Sequence, residues 1–422
     1  MNQTLTKIKR RGLKLLNIML FGEIPMGLMS WRYLLPSQDH RLKLHRQFWW
    51  HSAWRLAGPL GILLQAWLYS RWLLGSGWYR CFQVTKRLAP EITQREGITF
   101  KSQLIITLKL CLGYCIHPRD VYRFELYKHP EQALDYIYDR ETQSFHTWKS
   151  LAQGTSPQKS LQVIQDKIAL ENQLRELNIP VLNTAQCVTA KNKTPLLSLM
   201  TRIHQDKLFC KTRSGNQGLG AFAAWKTEVG LVGRTFQGHD LENTAAVEKA
   251  WQLLLKRDEA LVQPLLTNHP LLAPMAFGDE VITVRYISQV QTGIINVLSA
   301  TIEVPAERNA ATQLIQYIIL PIDPDTGIIQ NLPEHRVQSE HIIRLYNHVK
   351  ASGPQHSPIP YWQNLVKHTH AGHQQFLDIA TLAWDWVITP IGPVLLESNS
   401  GWGTATPQLL TGGFLANLTN PE

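Results

Sequence analysis

The chain has 422 residues, of which 44% are hydrophobic and 18% charged, a composition that excludes a disordered polymer and gives enough length for two or three domains. Its net charge of +10 is unevenly placed: residues 1–100 hold 15 Lys/Arg against 4 Asp/Glu, and the rest is close to neutral. The near-neutral remainder and the lack of a recognised nucleic-acid-binding motif argue against a nucleic-acid-binding protein.

Residues 4–22 open with Lys7, Lys9, Arg10, Arg11 and Lys14 and continue into an apolar run. They look like the basic start of a signal peptide, but the run is short and Gly22-Glu23-Ile24-Pro25 is no small-residue cleavage site. Residues 56–74 are apolar again, interrupted by Gln65 and Arg71, and Gly58-Pro59-Leu60-Gly61 is expected to break a helix there. A span needs about 20 predominantly apolar residues, so this one is marginal. Seven of the 14 tryptophans lie before residue 100: Trp31, Trp49, Trp50, Trp54, Trp67, Trp72 and Trp78. Trp beside Lys and Arg suits a segment lying on an anionic membrane surface. The competing reading is a helical subdomain with its tryptophans in the core.

Residues 101–150 read as helical, with a helix from Pro118 to Tyr127, and Gly154-Thr155-Ser156-Pro157 reads as a linker. Cys81, Cys111, Cys115, Cys187 and Cys210 form no Cys-x-x-Cys pair and no disulfide framework, a usage that suits a reducing cytoplasm. Asp166 to Leu177 has helical spacing and carries Lys167. Leu208-Phe209-Cys210-Lys211 is a short strand, followed by Thr212-Arg213-Ser214-Gly215-Asn216-Gln217-Gly218-Leu219-Gly220 and a second strand. A Gly-rich hairpin loop lets backbone N–H groups approach phosphate oxygens, with the lysine as a point charge. It is neither a Walker loop nor a Rossmann fingerprint, and alone it is equally an ordinary hairpin. Ala260–Leu266 is a strand running into a Pro-containing connector. In Glu280–Ile287 the alternation sets Thr283 and Arg285 on one face and Ile282, Val284 and Tyr286 on the other. His368, His370 and His373 fall on a predicted helix without a third ligand at metal spacing, so a surface helix is expected.

The most informative stretch is Trp384 to Asn399. Two apolar, β-branched-rich runs flank Pro390-Ile391-Gly392-Pro393, which predicts a hairpin with a three-residue loop and Gly392 in a left-handed position. That register sets Asp385 nearly opposite Glu397, with Asn399 on the same face as Glu397. Two carboxylates and an amide oxygen at one hairpin end form an oxygen-only set of the kind Mg²⁺ selects. The alternative is a hairpin with polar residues on its wet face.

Taken in order, "CKTRSGNQGLGAF", "VITVRYIS" and "WDWVITPIGPVLLESNSGWG" resemble the ATP-grasp superfamily, and within it the sugar-transfer-associated ATP-grasp family, over about residues 120–410. The resemblance implies an α+β fold in which two α+β subdomains clasp ATP, preceded by a mostly helical N-terminal region. The expected domains are 1–100, 101–185 and 186–422. It implies that Lys167 and Lys211 neutralise the α/β-phosphates and that the loop of Ser214, Gly215, Asn216 and Gly218 closes over them. The backbone around Gln263 and Leu265 would receive adenine, with His269 a candidate ribose contact. Arg285 would hold the γ-phosphate or an acyl phosphate, and Asp385, Glu397 and Asn399 would bind Mg²⁺. The chain departs from the family in running Lys-Thr-Arg where members commonly have Lys-Pro.

The expected activity is an ATP- and Mg²⁺-dependent carboxylate–amine ligase working through an acyl phosphate. Its small-molecule partners would be a carboxylate and an amine, amino acid and sugar among them, in cell-surface polysaccharide assembly. It would sit in the cytoplasm, peripheral on the inner face of the membrane. A catalytically degenerate nucleotide-binding scaffold at the membrane is the alternative.

Overall fold

The computed structural model describes residues 13, 16, 29–37, 39–152, 157–189, 191, 194–214, 220–309, 311–312, 314–333, 339–354 and 356–416. The chain divides into two compact units, one of residues 1–152 and 403–422, the other of residues 153–402. The division at 152/153 falls beside the Gly154–Pro157 stretch, whereas residue 100 opens a helix inside the first unit.

The first unit is helical: α1 (His40–Ala57), α2 (Pro59–Arg71), α3 (Gly77–Glu96), α4 (Phe100–Tyr114), α5 (Pro118–Arg123), α6 (Thr142–Ala152) and, from the C-terminal return, α13 (Ala405–Thr411). Asp39 caps α1 by accepting from the Arg41 N–H at 2.9 Å. As expected, Gly58 breaks the chain between α1 and α2, at φ +58°. A five-residue π turn, Trp72–Ser76, joins α2 to α3 with helical dihedrals at both junctions, so residues 59–96 run without interruption. The core includes Trp49, Tyr69, Trp72, Cys81, Cys111, Cys115, Phe124 and Tyr127, with Leu409 of α13 packed against it. Cys111 and Cys115 are therefore core residues. Two tryptophans of the N-terminal seven, Trp49 and Trp72, join that core, while Trp31, Trp50, Trp54, Trp67 and Trp78 stand 51–53% exposed. Inside, the His45 ring bonds Glu141 at 2.9 Å and the Leu134 carbonyl at 3.1 Å. Burial works against its charge, but Glu141 outweighs this and holds the imidazole above its ordinary range. The basic run at residues 4–22 lies outside the described residues apart from Leu13 and Leu16. Among the described residues, no helix is long and apolar enough to cross a membrane.

The second unit carries two antiparallel sheets. One is ordered β1-β6-β2-β3-β4-β5: β1 Gln186–Val188, β6 Ala260–Pro264, β2 Lys207–Thr212, β3 Phe222–Thr227, β4 Gly230–Thr235, β5 Asp240–Leu241. Its apolar face packs on α9 (Leu196–Arg202) and α10 (Thr244–Arg257) through Leu199, Met200, Trp251 and Leu254. The other is ordered β11-β10-β7-β8-β9: β11 Gly392–Asn399, β10 Thr381–Thr389, β7 Thr283–Gln291, β8 Ile294–Arg308, β9 Ile315–Pro321. Every residue of β10 is buried. On one face Trp384 meets α12 (Trp362–His373) at Gly372, where a Cβ would stand 2.9 Å from the indole. This close approach requires glycine. Helices α7 (Gln158–Gln165), α8 (Lys167–Glu176) and α11 (Glu340–Ser352) complete the described helices of this unit.

Two expectations are corrected. The histidines do not lie on the exposed side of their helix, which Gln363, Asn364, Lys367 and Ala371 form: His373 is fully buried, bonded to Ser288 Oγ at 2.6 Å and the Ile379 carbonyl at 2.9 Å, and burial pulls it down to about 4. His370 meets the Tyr286 hydroxyl at 3.2 Å and His368 stacks on Trp386. Their spacing marks an inward face. The hairpin loop has two residues, since Thr389 pairs with Gly392, whose φ is +140°. A bulge at Leu396 then restores the expected register, so that Asp385 does pair with Glu397.

Gln408 holds the C-terminal return in the first unit. Its Oε1 accepts from the Ile137 N–H at 2.8 Å, and its Nε2 donates to the Ile137 carbonyl at 2.8 Å, all buried. Gln408→Ala strands the Ile137 N–H and leaves its carbonyl to the Thr404 hydroxyl at 3.3 Å, a cost of about 1–3 kcal/mol. A clear drop in Tm with ATP affinity retained is the expected result; an unchanged melt would show that this contact does not hold the return.

Candidate active site

The five-stranded sheet presents one polar row. Asp385 on β10 pairs with Arg285 on β7 and with Glu397 on β11, and Arg285 pairs in turn with Thr301 on β8. Directly opposed residues share a face, so these side chains converge. Arg285 Nε donates to Asp385 Oδ1 at 2.7 Å and Nη2 to Oδ2 at 2.9 Å, a bidentate pair. The Asp385 side chain is only 6% exposed. Burial pushes its carboxyl up, Glu397 adds to that, and Arg285 and Lys211 oppose it. For Arg285, burial is the largest influence and disfavours the charge, but the bonds to Asp385 and the charges of Asp385, Glu303 and Glu397 together outweigh it and hold the guanidinium above its usual value. Glu303, two residues from Thr301 on the same face of β8, is half-buried; burial raises its carboxyl, Arg285 lowers it and Asp385 raises it.

Asn399 completes the cluster. Its Nδ2 donates to Glu397 Oε1 at 3.2 Å and to Asp385 Oδ2 at 3.4 Å. The amide thus places a positive dipole where two carboxylates converge, which is the position a cation suits. Two carboxylates and an amide oxygen are hard donors, so the set fits Mg²⁺. Among the described residues no cluster of three His, Cys, Asp or Glu is present, so a metal here depends on the amide.

The six-stranded sheet and helix α8 supply the cations. Lys211 on β2 alternates with the core-facing Cys210 and Thr212, and it reaches the Leu396 carbonyl, at the β11 bulge, at 3.4 Å. The bulge therefore does two things: it restores register and leaves an acceptor for this lysine. Burial pulls Lys211 from 10.5 down to about 8; Lys167 pushes the same way, and Glu397 opposes. Lys167 opens α8, capped by Asp166, and donates to the Arg213 carbonyl at 3.4 Å. Burial lowers it too, with Glu397 opposing. Lys167, Lys211, Arg285, Asp385, Glu397 and Asn399 thus form one electrostatic neighbourhood.

The other expected residues are placed differently. Ser214 donates its N–H to Asp258 Oδ2 at 2.9 Å, and its hydroxyl bonds the same oxygen. Gly215, Asn216 and Gly218 lie outside the described residues. Gln263 Nε2 donates to Thr184 Oγ1 at 2.9 Å, while its Oε1 is buried with no partner among the described residues. Leu265 follows β6, half-buried. His269 donates its N–H to the Ile388 carbonyl at 2.7 Å, and its ring meets Tyr361 edge-on.

Sequence reasoning missed two supports. Arg213 clamps Asp166 (2.9 and 2.6 Å) and Glu259 (2.7 Å), fixing the start of α8 to the sheet. The Lys-Thr-Arg departure was its signal. Glu171 accepts from the Thr184 N–H at 2.8 Å and hydroxyl at 2.5 Å, orienting the threonine that holds Gln263. Nothing in the sequence announced it.

A family model described as sugar-transfer associated ATP-grasp matches residues 147–421. The chain belongs to this family. Its α+β fold of two sheet-bearing subdomains after a helical region is the ATP-grasp fold. Among solved structures, D-alanine-D-alanine ligase from Helicobacter pylori is 12% identical, with 60% of this chain and 59% of that one covered and a TM-score of 0.36. VanG D-Ala:D-Ser ligase from Enterococcus faecalis is 12% identical, at 59% and 57% coverage and TM-score 0.37. N5-carboxyaminoimidazole synthase from Aspergillus clavatus, with ADP and 5-aminoimidazole ribonucleotide, is 9% identical, at 61% and 52% and TM-score 0.33. The chain spans less than two thirds of the length of each. No curated protein matches it.

Two outcomes follow for this ATP-grasp site. A folded-state Lys211 near 8 against an ordinary 10.5 means that the unfolded chain binds the extra proton between those values. The lysine therefore destabilises the ligand-free protein fully below that window, and the penalty fades as pH rises through it. Lys211→Met should raise the ligand-free Tm at neutral pH, with the gain vanishing by the top of the window, and should weaken ATP binding. A lower Tm at neutral pH would contradict this account. Arg285→Met strands the buried Asp385 and should cost about 3 kcal/mol or more. The Arg285→Met/Asp385→Asn double variant should be less destabilised than the sum of the singles; strict additivity in denaturant melts would mean that the pair is not coupled.

Proposed function

We propose that this ATP-grasp protein is an ATP- and Mg²⁺-dependent carboxylate–amine ligase that acts through an acyl phosphate. The observation that carries this is the Asp385–Glu397–Asn399 set on one sheet, with Lys211 from the other sheet and Lys167 from the start of α8 beside it. Two lysines held close together and lowered by burial favour a polyanion between them, and a nucleotide triphosphate has that charge. The buried Gln263 Oε1 is an acceptor in want of a donor, which the exocyclic amine of adenine supplies. Bound Mg²⁺ would supply charge neutralisation at the phosphates, held by Asp385, Glu397 and Asn399.

The chain's own groups then do the rest. Lys167 and Lys211 hold the α/β-phosphates in the ground state. Arg285 fixes Asp385 with two N–H groups and turns its remaining edge to the transferring phosphoryl group. A substrate carboxylate oxygen attacks the γ-phosphorus, and the bond to the bridging oxygen breaks, releasing ADP. The amine attacks the acyl carbon of the acyl phosphate, phosphate leaves, and a proton is lost to water. No protein nucleophile is needed; cationic side chains stabilise the charge as it moves. The Gly215–Gly220 loop covers the phosphates in this scheme.

We place the reaction in cell-surface polysaccharide assembly, joining an amino acid and a sugar-derived partner, in the cytoplasm at the inner face of the membrane. The family's sugar-transfer association supports the glycan setting. The basic N-terminal segment supports the membrane setting. The intact lysine and acid sets speak against a degenerate scaffold.

An ADP-release screen against amino acids and sugar acids tests the reading. Once a substrate pair is found, Asp385→Asn and Glu397→Gln should each lower turnover on the order of a hundredfold or more, with the fold intact by circular dichroism. Unchanged turnover in both at limiting Mg²⁺ would refute the metal assignment.

A further inference from the structure

We infer that the outward face of the helices between His40 and Pro90 is a docking surface for an anionic bilayer, entered at headgroup depth by its Trp and Leu side chains. This deepens the membrane setting proposed above and rests on it.

Helix α2 is apolar on both sides. Leu64, Leu68 and Trp72 point into the first unit at 9%, 1% and 1% exposure, while Leu60 and Leu63 stand 66% exposed and Trp67 53%. A helix with large apolar side chains on both faces, Gln65 and Arg71 notwithstanding, favours an apolar medium on each side, and water is not one. The outward stripe continues along the unbroken 59–96 helix through Leu74, 87% exposed, and Trp78, 53% exposed. The Trp78 indole N–H already donates to the Leu73 carbonyl at 2.9 Å, so its exposed ring leaves water without stranding a donor. Helix α1 adds Trp50 and Trp54, stacked at 6.1 Å. Monomeric proteins rarely show so continuous an apolar face without a partner.

Charge selects the partner. From His40 to Pro90 the sequence has eight Lys/Arg and no Asp or Glu. Lys43, Arg46, Lys86 and Arg87 are exposed. A second copy would set these cations against themselves, whereas anionic lipid neutralises them. Trp and the long cationic side chains both settle at the headgroup boundary, apolar body inward and polar tip in water. Since no described helix is fit to cross a membrane, the face lies on the bilayer and does not span it.

The test uses the full-length protein with vesicles of phosphatidylcholine, with and without phosphatidylglycerol, and ATP titration in parallel. Wild type should sediment with the anionic vesicles, less at high salt, and its Trp fluorescence should be quenched by lipid brominated near the headgroup. Leu63→Glu/Trp67→Glu should lower partitioning at least tenfold with ATP binding retained, and Lys86→Glu/Arg87→Glu should remove most of the salt-sensitive part. If wild type binds but is not quenched, or if Leu63→Glu/Trp67→Glu binds as well as wild type, this face is overturned while membrane association stands. If wild type ignores anionic vesicles at low salt yet binds ATP, the inference and the membrane setting both fall and the ligase reading is untouched. A wild-type dimer dissolved by Leu63→Glu/Trp67→Glu would assign the face to a second copy. The quenching arm needs no substitution, so it discriminates even where a variant fails to fold.

Discussion

The site depends on seating a carboxylate in the middle of a strand that is buried throughout. Asp385 sits in β10 between Trp384 and Trp386, where the cost of its charge is high and burial alone would neutralise it. Arg285 opposes that, and it can do so only because β7 lies beside β10 in the register that puts the two residues opposite each other. The same register sends Tyr286 and Trp384 to the other face, toward α12. Packing on one side of the sheet therefore sets the electrostatics on the other.

The cationic half is built in the opposite sense. Asp385 has a dedicated ion pair, but the described partner of the Lys211 ammonium is a carbonyl, and that of Lys167 includes one. Neutral partners orient a lysine without cancelling its charge. The acids are thus individually restrained, by Arg285 and by the Asn399 amide, while Lys211 is held by a carbonyl and keeps its charge for an incoming anion. Preorganisation of this kind favours binding charge that arrives over charge already present.

Much of this was readable in the sequence because β-strand alternation and turn chemistry are local. The faces of Arg285 and Tyr286, the opposition of Asp385 and Glu397, and the helix carrying Lys167 all follow from spacing. What was not readable came from contacts distant in the chain. The Asp385 pairing with Arg285 joins residues 100 apart, and strand alternation gives the face of Arg285 but not its partner. The two-residue loop and the compensating bulge at Leu396 cancel in the register, so the right pairing was reached through the wrong turn. His373 looked solvent-facing because its partners, Ser288 and Ile379, belong to other elements. The seven N-terminal tryptophans were weighed as either core or membrane-facing. Two are buried and five exposed, since only tertiary packing decides which side of such a helix looks inward.

The return of the chain to the helical unit has a topological consequence. Residues 153–402 are an insertion within that unit, which is closed behind them by α13 through Gln408 and Ile137. The inserted body is tethered at both ends, so a single backbone cut beside residue 152 would leave every piece attached. Removing residues 1–100 would not free it either, because that deletion takes Trp49, Tyr69, Trp72 and Cys81 from a core that residues 110–138 share. The helical host is thus assembled from both ends of the chain, and trimming it from either side removes part of its own core or its closing contact.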